Sequence, residues 1–357
     1  MGRYIVRRLL QSIPIFFGIT LLSYVLMAAS GNPVAQLAFR PGTRPEEMAR
    51  VAAELGVDDP IHIQYLRWLL GDDWMRWDSD GDGVSDHAVL LPLDSDGDGE
   101  AEPPGRRHGV LRGDFGVSFT KKRPVLDIIV ERVVPTLELS VSSFFLGTVI
   151  GISIGIVAAV KRGGWFDQAS RVLSVALTAI PLFWFALMIL LLLSVQFRVF
   201  PIGDRCAMTL NDSCPPLWER LEYIILPVFV LSIGGVAGFS RLMRASMLDI
   251  VSQDYIRTAQ AKGMTATVVW YRHAARNAMI PIATALGPAI TSLISGAVVV
   301  ETIFNYPGLG KTSVEAVTQR DFPVVMALTI YAAVATIAGY LLSDILYAVI
   351  DPRIRLD

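Results

Sequence analysis

Two acidic repeats are the part of this 357-residue sequence most like a ligand site. Asp78-Ser-Asp-Gly-Asp-Gly-Val-Ser-Asp86 is followed by Asp94-Ser-Asp-Gly-Asp-Gly-Glu100. Alternating carboxylates with a glycine at the turn place oxygens at positions 1, 3 and 5, as in the first half of a calcium loop. Asp78, Asp80, Asp82 and Asp86 would serve the first copy, and Asp94, Asp96 and Asp98 the second. The position-12 glutamate of an EF-hand is missing, with Val89 and Gly105 in its place. A shorter calcium loop closed with the help of Asp86 and a solvated acidic hairpin both fit.

Other chemistry is scarce. Gly310-Lys311-Thr312 has the form of the end of a phosphate-binding loop, but the glycine required five residues earlier is Asn305. The histidines are His62, His87, His108 and His273, none inside an apolar run. A hydrolase working inside a membrane would need a buried nucleophile and base, so an enzyme is not expected. Cys206 and Cys214 are the two cysteines. A disulfide pinning their loop and a pair of free thiols are both open.

The elements that carry these residues are membrane helices. Apolar residues make up 53% of the chain and mean hydropathy is +0.49, above the usual range of soluble domains. Six windows are long enough to span a bilayer, at about 9–28, 137–160, 172–197, 223–243, 281–304 and 324–350. The first is longer than a signal-peptide core and reads as a retained span. With the N-terminus in the cytoplasm, the inner segments hold fourteen Lys and Arg residues against four in the short outer loops, the bias that orients membrane proteins. Both termini are then cytoplasmic, and Cys206 and Cys214 lie outside, where disulfides persist.

The chain divides into a first span (1–28), a long outer segment (29–134) carrying the acidic insert (74–108), and a five-span block (136–350). Two helical stretches are expected in the outer segment, Pro45 to Leu55 and Pro60 to Leu70. Gly147, Gly151 and Gly155 fall four apart, the spacing that lets helix backbones approach closely in lipid; Ser292 and Gly296 repeat it. Pro181 should kink the third span. Glu138 and Glu301 sit near span ends and are expected to be solvated, whereas Asp344 lies deeper and calls for a basic partner, with a substrate contact as the alternative.

Between the fourth and fifth spans lies a polar, basic segment, Asp254-Tyr-Ile-Arg-Thr-Ala-Gln-Ala-Lys-Gly263 and then Tyr271-Arg-His-Ala-Ala-Arg-Asn-Ala-Met-Ile-Pro281. It resembles the cytoplasmic loop of binding-protein-dependent ABC importer permeases. Arg257-Thr258-Ala259 stands at that family's Glu-Ala-Ala triplet, followed by Gly263 and by Ala278-Met-Ile-Pro281. The acidic residue and first alanine are absent, as in the oligopeptide and dipeptide branch. Other stretches resemble that branch in order: Tyr4-Ile-Val-Arg-Arg, Gly113-Asp-Phe-Gly-Val-Ser118, Glu301-Thr-Ile-Phe-Asn-Tyr-Pro-Gly-Leu-Gly310, Arg320-Asp-Phe-Pro323 and Asp351-Pro-Arg353. Only about 74–108 falls outside the resemblance.

The resemblance implies an all-α integral membrane protein of the bacterial or archaeal cytoplasmic membrane. It would have six transmembrane helices, one N-terminal accessory helix and a five-helix type I ABC importer core. It would be half of a path for peptides, paired with a second homologous permease, two ATP-binding subunits that hold ATP and magnesium, and an extracytoplasmic substrate-binding protein. No nucleic acid is expected, and no cofactor in this chain beyond calcium in the insert. The coupling loop (246–280) would seat on an ATPase. Asp254, Tyr255, Ile256, Arg257, Thr258, Ala259, Lys262, Gly263 and Met264 are the expected contacts, with Ile256, Ala259, Tyr255 and Met264 as the apolar ones. Related permeases carry nickel, glutathione or sugars, so cargo stays open. An ion-coupled secondary transporter would instead show inverted repeats and midplane ion ligands, which are not seen.

Overall fold

The structure is a computed structural model describing residues 2–31, 48, 52, 56–57, 59–94, 101, 103–207, 214–283, 285 and 297–350. Most of the expected helix at 45–55 and half of the expected span 281–304 lie outside the described residues. The described chain is dominated by helices: α1 (Gly2–Ala29), α2 (Ile61–Leu70), α3 (Val125–Val160), α4 (Trp165–Ala179), α5 (Leu182–Leu190), α6 (Leu221–Val251), α7 (Asp254–Ala261), α8 (266–283), α9 (Val298–Ile303), α10 (Leu309–Thr318) and α11 (Phe322–Ile350). One short hairpin, β1 (Arg76–Trp77) and β2 (His87–Ala88), pairs antiparallel.

Four of these helices are long and apolar enough to cross a membrane: α1, α3, α6 and α11. The α4–α5 pair forms a fifth candidate, bent by 98°. Pro181 causes the bend. The residue before a proline is pushed out of the helical region, and Ile180 sits at φ −78°, ψ 128°. The kink expected there is a full break between two helices.

The chain falls into two compact units. In the first (1–12, 130–314 and 332–357), α3 and α6 meet along the glycine stripe. A Cβ on Gly147 would lie 3.0 Å from the Ser232 carbonyl oxygen, on Gly151 2.9 Å from that of Val236, and on Gly155 2.7 Å from that of Ser240. Both series advance by four residues in the same direction, so α3 and α6 run parallel. The segment between them, which holds α4 and α5, must therefore carry the chain back from the end of α3 to the start of α6. In the same unit Arg8 Nε lies 3.3 Å from Asp344 Oδ2, the basic partner expected for that aspartate.

The second unit comprises 13–129 and 315–331. Tyr24, Tyr65, Trp68 and Phe322 bury against one another with ring centroids 5.5–5.8 Å apart, and Tyr65 Oη meets Thr20 Oγ1 at 2.9 Å. The apolar face of α2 is Ile63, Tyr65, Trp68 and Leu69, and Ile61 at its start is 42% exposed.

Candidate functional site

The expected coupling segment is a short helix, α7, folded back on its own chain. Ile256 is fully buried and Ala259 nearly so, within a cluster formed by Met243 and Met247 of α6 and Val269, Ala274 and Ala278 of α8. These two residues were expected to face a partner. They instead anchor the helix, because at spacing three they share the one side of α7 that meets α6 and α8. The opposite side presents Asp254, Tyr255, Arg257, Thr258 and Lys262 to solvent, with Met264 beyond the end. Arg257 lies 3.5 Å from Asp254, and Asn277 of α8 donates to Tyr255 Oη at 3.1 Å.

The helix ends on Gly263, at φ +76° with open space around its Cα. Its amide donates to the Gln260 carbonyl at 2.9 Å, and Met264 N reaches Ala259 O at 3.4 Å. A left-handed residue after the last turn is a common helix stop, and glycine takes it without a Cβ clash. The following α8 opens with a π-helical stretch, Val268–Ala274. The arrangement is a solvated polar knob whose root is packed into the end of α6.

A second constellation was not expected. Glu138 of α3, read from sequence as solvated, is the hub of an ion cluster. Arg205 donates to it through Nε at 3.0 Å and Nη2 at 2.7 Å, Arg220 through Nη2 at 2.7 Å, and Tyr306 through Oη at 3.1 Å. Arg205 lies beside Cys206, which is bonded to Cys214 with Cα atoms 5.7 Å apart. The backbone adds to the tie, with Asp204 N donating to Phe304 O at 3.0 Å. Burial pushes the Tyr306 hydroxyl up to about 12, with the Glu138 carboxylate adding to the effect. The signal in sequence was an acidic residue inside an apolar run together with the few arginines of the loop after the third span.

Glu301 also departs from the solvated position expected of it. It is fully buried, accepting from Thr136 Oγ1 at 3.0 Å, Ala297 N at 3.2 Å and Lys311 N at 3.0 Å. The amide of Lys311, the second residue of the phosphate-loop look-alike, therefore points at the chain's own carboxylate. Thr312 Oγ1 donates to Gly308 O at 2.8 Å. The start of α10 has its anion already, supplied internally.

The first acidic repeat is the loop of the β1–β2 hairpin, above a stacked Trp77–His87 pair. One oxygen from each of Asp78, Asp80 and Asp82 falls within 4.8 Å of the others. Asp78 accepts from Gly83 N at 2.7 Å, Gly81 N at 2.6 Å and Asp80 N at 3.1 Å, and the Gly83 and Gly81 amides hold its carboxyl below the usual range. Asp86 turns to Ser79, whose hydroxyl and amide both donate to it. Asp94 is described, whereas Asp96 and Asp98 lie outside the described residues.

The sequence profile described as Binding-protein-dependent transport system inner membrane component matches residues 151–356, and that of the family's N-terminal part matches 1–76. The chain belongs to this family. Relatives match along the whole length. The oligopeptide transport system permease protein AppB of Bacillus subtilis (strain 168) is 38% identical over 357 residues, covering 99% of this chain and 100% of the relative. The dipeptide transport system permease protein DppB of Escherichia coli (strain K12) is 36% identical over 374 residues, covering 99% of each. The di/tripeptide permease DppB of Pseudomonas aeruginosa (strain UCBPP-PA14) is 31% identical over 371 residues, at the same coverage.

Proposed function

We propose that this chain is the membrane-spanning permease subunit of an ATP-driven peptide importer. It forms half of the path, completed by a second permease, and is powered by two ATP-binding subunits that hold ATP and magnesium. An extracytoplasmic binding protein delivers the cargo. The full-length likeness to oligopeptide and dipeptide permeases supports the cargo class. The observation that carries the mechanism is α7: Ile256 and Ala259 weld it to α6 and α8 while Tyr255, Lys262 and Met264 stay exposed. A knob with a packed root and a polar crown can take a push from a moving partner and pass it to the span behind it.

In this reading α7 lies in the cytoplasm with both termini. The six-span plan has α1 as the accessory helix, and its fifth span runs through 281–304. Calcium is the ion proposed for the acidic insert, supported by the convergence of Asp78, Asp80 and Asp82; titration calorimetry of the whole protein tests it, and no calcium-dependent heat would remove it.

The complete assembly reconstituted in liposomes should accumulate a labelled dipeptide when ATP and the binding protein are supplied. Gly263→Pro should keep membrane insertion but lose that uptake, because proline requires φ near −65° where Gly263 stands at +76°. Uptake by this chain alone, or undiminished uptake by the variant, would overturn the proposal.

A further inference from the structure

Away from α7, an open hollow of about 780 Å³ lies between α4 and α6. Arg171, Arg241 and Arg244 line it, with Val172, Val175 and Ala176 as its apolar wall. The residues from α4 recur at helical spacing, so they form one face of that helix. The charges do not balance within the hollow. Asp167, almost fully buried, is saturated: Arg244 binds it through Nε at 2.5 Å and Nη2 at 2.9 Å, and Gly163 N donates at 2.9 Å. Arg171 stands 3.7 Å from the same carboxylate with its side chain 53% exposed. Arg241 donates to Thr178 Oγ1 at 3.3 Å and, among the described residues, has no carboxylate partner. Two guanidinium groups thus share one carboxylate and the third has none, while Val172 and Val175 stay 70% and 59% exposed beside them.

We infer that this hollow binds the phosphate headgroup of an anionic phospholipid, with an acyl chain along Val172, Val175 and Ala176. A guanidinium fork matches phosphate oxygens two at a time. A basic pocket between membrane helices, walled by apolar side chains, suits an anion that brings its own hydrocarbon. The bound lipid would fix the angle between α4 and α6, since Arg171 belongs to one helix and Arg241 to the other. This rests on the chain being a membrane permease, and the nature of the cargo does not enter.

The test uses the assembled importer in nanodiscs of phosphatidylglycerol or phosphatidylcholine, measuring lipid phosphorus retained on extraction and thermal stability. Phosphatidylglycerol should be retained and should raise the unfolding temperature, whereas phosphatidylcholine should do neither. Arg241→Gln and Arg171→Gln should each weaken retention about fivefold and leave the Asp167–Arg244 pair intact; Arg241→Lys should restore most of it. Equal retention of both lipids, or unchanged retention in the double glutamine variant, would overturn the inference. So would the same stabilisation by inorganic phosphate or by a dipeptide, which would make the hollow a free-anion or cargo site. Because the readout is lipid rather than uptake, the inference can fail while peptide transport stands.

Discussion

Ser118 Oγ donates to the carboxylate of Asp321 at 2.5 Å, across 203 positions of sequence. The amides of Phe119 and Thr120 converge on the same group, each at 3.0 Å. Asp321 is 2% exposed, so one carboxylate at the start of α11 holds the whole turn that precedes α3.

Removing that acceptor strands three donors. Asp321→Ala should cost about 3 kcal/mol or more, and Asp321→Asn less, since an amide can still accept from part of the turn. Thermal unfolding in detergent and protease sensitivity at 113–124 report it. An Asp321→Ala protein as stable as its parent would refute the assignment.

The α3–α6 seam predicts a position-specific response to added volume. Gly151→Val should destabilise by about 1–3 kcal/mol, because its first carbon would already press on Val236 O at 2.9 Å. Gly238→Ala, with nothing within 4 Å, should be close to neutral. Equal stability of the two variants in a melting assay would contradict the close approach.

Root and crown of α7 should separate experimentally. Ile256→Ala empties a fully buried site and should cost about 2–5 kcal/mol. Tyr255→Ala with Lys262→Ala should leave the unfolding temperature within a degree or two but lower ATP-driven uptake more than tenfold. A stable, fully active double variant would remove these two residues from the partner surface.

Acid should loosen the start of the hairpin region. The Arg112 guanidinium, donating to Asp73 at 2.7 Å through Nη1, holds the Asp73 carboxyl below its usual value, with His108 assisting. A depressed carboxylate adds stability above its unfolded pKa and loses it as pH falls through the folded one. The contact is therefore complete at pH 7 and fades below the ordinary carboxylate range. Hydrogen exchange at 105–113 should quicken there, and Asp73→Asn should abolish the acid step. An unchanged step in that variant would assign it to another group.

Sequence carried the helices well because lipid imposes a plain rule: about twenty apolar residues in a row. The close approach at Gly147, Gly151 and Gly155 was legible for a related reason, since small residues at spacing four serve backbone contact. Less was readable where polar groups satisfy one another over long separations. Glu138 and Glu301 look like span-end residues locally. Only the return of Arg205, Arg220 and Tyr306 to one, and of Thr136 and the Lys311 amide to the other, makes them interior. For α7 the sequence located the segment but misassigned its inward side, because an eight-residue helix has too few positions for the pattern to say which apolar residues serve the home chain.

The parallel seam has a mechanical corollary. Glycines and carbonyls both recur every four residues, a repeat of about 6 Å along a helix. Sliding α3 against α6 by less than that drives each glycine's neighbours into oxygen, so small slips are resisted and the two travel as a single strut. A displacement applied at the far end of α6 is therefore inherited by α3, so the short helix packed on α6 would move two helices rather than one.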